Sequence, residues 1–128
     1  MSSDFYLYGS SNGLEEVRFD LPHELKSGKW QIGLCEISYM KHKTVFPSLD
    51  VMCDLIVPNF KNAKSTQILR RIPQGRGDIS IRFNPIFYCD VITSTIKSLT
   101  VYLSSDSKSE NAFTNTKVYW TLQLHRDD

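Results

Sequence analysis

The chain has 128 residues, with 41% apolar and 23% charged side chains and a net charge of +1 at neutral pH. That length and composition fit one globular domain, residues 1–128, with a single core, and they exclude a disordered tail. A near-zero net charge gives no global field toward nucleic acid or an anionic membrane, so neither is an expected partner and any basic contact must be local.

Seven Phe, six Tyr and two Trp are present, many beside β-branched residues, a composition that suits pleated sheets. The odd count and wide spacing of Cys35, Cys53 and Cys89 match neither a disulfide framework nor a zinc pattern. They are expected as small buried hydrophobes in a reducing compartment. Met1-Ser2-Ser3-Asp4 lacks the basic and apolar regions of a signal peptide. No apolar run reaches membrane-spanning length. Synthesis and residence inside a cell are therefore the expectation, with later export in a virus particle compatible with it.

Strand signals run through the chain. Phe5 to Tyr8 is a short aromatic run closed by the turn-like Gly9-Ser10-Ser11-Asn12-Gly13. Val17, Phe19 and Leu21 alternate with Arg18 and Asp20 up to Pro22. Trp30 to Met40 is the longest candidate. Trp30, Ile32 and Leu34 share one face, and Ile37 and Tyr39 fall out of phase with them. A β-bulge near Cys35-Glu36, or burial on both faces, would account for that shift. Val51 to Val57 reads as a central strand ended by Pro58, and Asn59 to Ser65 as a polar, basic loop. Gln67 to Ile72 alternates and stops at Pro73; Gln74 to Gly77 is the most flexible stretch by composition. Ile79 to Phe83, a weaker Phe87 to Ile92 and Ile96 to Leu103 follow; a helical turn within 87–97 is the one non-β option. Val118, Trp120, Leu122 and Leu124 form the clearest alternation. Eight or nine strands about ten residues apart predict an antiparallel sandwich or barrel.

No metal-ligand or phosphate-loop motif occurs, and no cofactor is expected. His23, His42 and His125 are far apart, and a nucleophile pair would need the fold to bring one of them to a cysteine. The expectation is binding and assembly, not catalysis. Glu36 and Asp54 lie in apolar strands and are expected to point outward or pair with a base. Lys61, Lys64, Arg70, Arg71 and Arg76 form a basic cluster, although Arg70 and Arg71 face opposite sides of a regular strand. Arg76-Gly77-Asp78 is a cation and a carboxylate on a glycine-flanked turn, a candidate loop for a cell-surface receptor.

Two stretches carry a family resemblance. One is Trp30-Gln31-Ile32-Gly33-Leu34-Cys35-Glu36-Ile37-Ser38-Tyr39, preceded by Phe19-Asp20-Leu21-Pro22. The other runs from Val51-Met52-Cys53-Asp54-Leu55-Ile56 through Gln67 to Pro73 and Ile96 to Leu103, ending in Val118 to His125. In that order they resemble the minor capsid, penton-like jelly-roll proteins of Polinton (Maverick) elements and adintoviruses. The likeness is to a shortened form, because only residues 40–50 join the two stretches. The resemblance implies a single jelly-roll of about eight strands, self-assembly into a pentamer, a major capsid protein as partner and residence in a virion. Tyr6, Tyr8, Lys117 and Tyr119 are the candidate subunit contacts, since outward aromatics and terminal strands commonly serve interfaces. The alternative is a β-sandwich binding module, for cell attachment or lectin-like, or a host protein derived from such an element.

Overall fold

The computed structural model describes residues 2–12, 15–21, 25, 28–39, 49–72, 79–93, 95–105 and 116–127. Among them all regular structure is β, and no helix occurs. The strands are β1 (Ser2–Asn12), β2 (Val17–Asp20), β3 (Trp30–Tyr39), β4 (Leu49–Cys53), β5 (Asn59–Lys61), β6 (Lys64–Thr66), β7 (Ile68–Ile72), β8 (Ile79–Arg82), β9 (Tyr88–Asp90), β10 (Ser98–Ser105) and β11 (Lys117–Asp127). One sheet has the order β1-β11-β3-β8, with β9 beside β8 on the same flank of β3; the other has the order β2-β10-β4-β7.

The pairing is nested: β1 with β11, β2 with β10, β3 with β8 and β9, and β4 with β7, all antiparallel. The chain is thus one long hairpin folded over so that alternate pairs fall in opposite sheets. This is the jelly-roll-like sandwich expected from the sequence. Inward residues of both sheets build one core, including Ile32, Leu34 and Ile37 of β3, Trp120 and Leu122 of β11, Val51 of β4 and Val101 of β10. Full burial of each such side chain contributes about 2 kcal/mol.

The phase shift in β3 is a bulge. Thr121 pairs with Glu36 but Leu122 pairs with Leu34, leaving Cys35 without an opposite number. The extra residue lets Trp30, Ile32 and Leu34 on one side of it and Ile37 and Tyr39 on the other reach the same core. A second shift occurs between β4 and β7, where Val51 pairs with Arg70 and Met52 with Ile68. It buries both Leu69 and Ile72, so the regular alternation expected for this strand does not hold.

Three further expectations are corrected. Residues 9–12 are not a turn, because β1 continues to Asn12 in unbroken register with β11. A Cβ at Gly9 would stand 2.7 Å from the Phe19 ring, so the glycine admits that ring from the facing sheet. The central strand ends at Cys53, not at Val57, because residues 54 and 55 turn. There the Asp54 carboxylate accepts the Thr100 backbone N–H at 2.9 Å. Residues 59–66 are a hairpin, not a loop: β5 and β6 pair around Asn62 and Ala63, whose φ angles of 51° and 63° make the tight turn.

Candidate interaction face

The outward surface of the five-stranded sheet gathers the side chains singled out in the sequence. Asp4, Tyr6 and Tyr8 of β1 lie opposite His125, Gln123 and Thr121 of β11; Ser10 lies opposite Tyr119 and Asn12 opposite Lys117. Alternation puts all of these on one face and sends Phe5, Leu7 and Gly9 to the other. Tyr6, Tyr8, Lys117 and Tyr119 therefore share one surface on two adjacent strands, and Tyr8 is 73% exposed. Tyr6, Tyr8, Cys35, Glu36, Arg82 and Thr121 border an open hollow of about 330 Å³.

Beside the tyrosines lies a polar network that periodicity did not single out. The Tyr88 hydroxyl donates to Gln123 Oε1 at 2.8 Å, and the Cys35 thiol lies 3.9 Å from the same oxygen. His125 Nδ1 is 2.6 Å from Asp4 Oδ1, and the His125 ring lies against the Tyr88 ring with centroids 5.5 Å apart. The hydrogen bond to His125 holds the Asp4 carboxyl below its ordinary value. Burial pushes the Tyr88 phenol and the Cys35 thiol up. A protonated thiol is a poor nucleophile. Cys53, deeper in the core, is pushed up to about 12 by burial. Among the described residues, no group of three His, Cys, Asp or Glu side chains is placed to hold a metal ion.

The basic cluster separates in space. Asp50, only 3% exposed, accepts Arg71 Nε at 2.9 Å and also takes the Lys61 ammonium. Burial alone would raise its pKa, but the Arg71 and Lys61 hydrogen bonds outweigh that and hold it below the ordinary value. Arg70 turns elsewhere, with its guanidinium 4.3 Å from the Phe83 ring centroid and 4.0 Å from that of Phe87. Glu36 pairs with Arg82 at 3.1 Å and Asp54 is exposed, as expected for both acids. Asp50 was missed because the sequence placed it at the end of a connection. Its position between Leu49 and Val51 was the available signal. Arg76, Gly77 and Asp78 lie outside the described residues, as do His23 and His42.

No protein-family model matches this chain, and no curated protein matches it.

Proposed function

We propose that this protein is a structural subunit of a virus or virus-like mobile element, a jelly-roll that acts by self-association at a capsid vertex. The observation that carries the reading is the combination of nested jelly-roll pairing with a tyrosine surface turned outward on β1 and β11. Rigid outward aromatics lose little side-chain entropy on contact and supply large apolar area, which is what a subunit interface requires. In this reading five copies close a ring, a major capsid protein surrounds it, and the protein resides in the virion. The test is native mass by light scattering over a concentration series, with electron microscopy of the assembled species. Fivefold rings are expected; a protein that stays monomeric at every concentration and does not join a shell would refute the assignment.

A further inference from the structure

Exposed apolar side chains are not scattered over the described surface. Tyr6, Tyr8 and Tyr119 project from the outward face of β1 and β11, and Tyr88 of β9 reaches the same face, where it bonds Gln123 opposite Tyr6; Phe5 is exposed on the other face of β1. Val57, Phe60, Phe87 and Ile92 belong to β5 and to the segments next to β5 and β9. These are opposite flanks. β1 and β2 are the edge strands on one side of the two sheets, and β7, β8 and β9 are the edges on the other. Phe60, 80% exposed, stands on the β5–β6 hairpin, which the Asn59 side chain ties to β7 by accepting the Ile68 N–H at 3.3 Å and donating to its carbonyl at 2.8 Å.

Charge divides the same way. Residues 2–21 carry Asp4, Glu15, Glu16 and Asp20 against Arg18, with Arg18 paired to Asp20, His125 beside Asp4 and Lys117 of β11 on the same surface, so Glu15 and Glu16 supply its remaining negative charge. Residues 59–72 carry Lys61, Lys64, Arg70 and Arg71 and no acid, with Asp50 of β4 neutralising part of that charge. The β1 edge is also unguarded: eleven residues long, in continuous register with β11, and without Lys, Arg or Pro. The β7 edge, by contrast, is five residues long, bulged, and carries two arginines.

We infer that copies of this chain join head to tail, the basic β5–β7 flank and Phe60 hairpin of one copy docking on the tyrosine surface and acidic β1–β2 edge of the next. The inference rests on the self-assembly reading and names the contact it would use. Two unlike, complementary patches on opposite flanks make a heterologous interface, which closes into a ring when the rotation between copies allows. Opposite charge on the flanks sets the direction and disfavours like-to-like pairing.

The test uses the full chain and two exposed-site variants, Tyr8→Asp and Phe60→Asp, each checked for unchanged thermal unfolding, with Glu16→Lys and Lys64→Glu as a charge-reversal pair. Sedimentation should show each aspartate variant alone associating at least about tenfold more weakly than wild type. An equimolar mixture should form one-to-one dimers, since each variant retains the flank the other lacks. Lys64→Glu and Glu16→Lys should likewise weaken association singly and recover it when mixed. Phe60→Asp dimers with Tyr8→Asp monomers would mean β1 pairs with its own copy and would overturn the inference. A mixture that stays monomeric would overturn it too. Fivefold rings indifferent to all four substitutions would remove this contact and leave the vertex reading. Complementing variants whose parent assembles in a number other than five would do the reverse. A wild type that stays monomeric at every concentration and joins no shell would end both.

Discussion

Leu122 of β11 lies directly opposite Leu34 of β3, although the preceding residue, Thr121, lies opposite Glu36. The skipped residue, Cys35, sets the phase of the inner strand β3. Deleting it would restore a regular ladder in which Trp30, Ile32, Leu34, Ile37 and Tyr39 alternate in one phase and all face the core. The deletion variant is therefore expected to keep a cooperative unfolding transition by circular dichroism, weakened by loss of the Cys35 carbonyl that accepts the Phe83 N–H at 2.9 Å. Cys35→Ala keeps the extra residue and should cost only roughly 1 kcal/mol. Loss of the cooperative transition on deletion would mean that the bulge itself, not only the phase it corrects, is required.

Asp50 is the buried charge on which Lys61 and Arg71 converge. Asp50→Asn removes the carboxylate charge that both cations face and keeps one amide oxygen as an acceptor. Because both reach solvent, the expected loss is about 2 kcal/mol at neutral pH, below the full cost of breaking a wholly buried pair. The pH dependence has a definite sign. The folded carboxyl titrates below its ordinary value, so its stabilisation is complete above the unfolded value near about 4. It disappears as pH falls through the lower, folded value. Urea unfolding of wild type and Asp50→Asn should therefore differ at neutral pH and converge in acid below about pH 4. A gap that persists in acid would assign the loss to packing.

Trp120 Nε1 donates to the Ser11 hydroxyl at 3.0 Å, and both residues are buried. Ser11→Ala leaves an indole N–H in the core without an acceptor, at a cost of about 1–3 kcal/mol. The check is a lower urea midpoint at unchanged slope. A shift smaller than about 0.5 kcal/mol would mean that the indole has found another acceptor.

How much of this was legible in the sequence depended on range. The period-two pattern of Val118, Trp120, Leu122 and Leu124 gave β11 directly, and the phase break at Cys35-Glu36 gave the bulge of β3 as one of two explanations, because both signals are local. The far half of β1 was hidden, since Gly9-Ser10-Ser11-Asn12 has turn composition. What makes it a strand is the Phe19 ring lying against Gly9 and the Trp120 indole meeting Ser11. The β5–β6 hairpin lacks an apolar face, so periodicity had nothing to detect. Asp50 finds its partners 11 and 21 residues later, beyond any window of local pattern. For the candidate surface, parity places Tyr6 with Tyr8 and Lys117 with Tyr119, but joining the two pairs requires the β1–β11 register.

Gly33 and Gly9 allow a graded comparison. A Cβ at Gly33 would stand 2.4 Å from Ile86 Cγ2 and 3.1 Å from both the Phe87 carbonyl oxygen and Tyr88 Cδ1. Backbone is among those neighbours, so the connection between β8 and β9 must lift from the sheet to make room. That movement would strain the pairing of Tyr88 with Gly33 and the hydrogen bond from Tyr88 to Gln123. At Gly9 the nearest atoms belong to the Phe19 ring, which is half-buried and can swing aside. Gly33→Ala is therefore expected to cost about 1–3 kcal/mol and Gly9→Ala less. Hydrogen exchange should locate the difference, with faster exchange over 88–90 in Gly33→Ala and none there in Gly9→Ala. If the two variants lose the same stability and residues 88–90 stay protected in both, the close approach at Gly33 does not hold β9 in place.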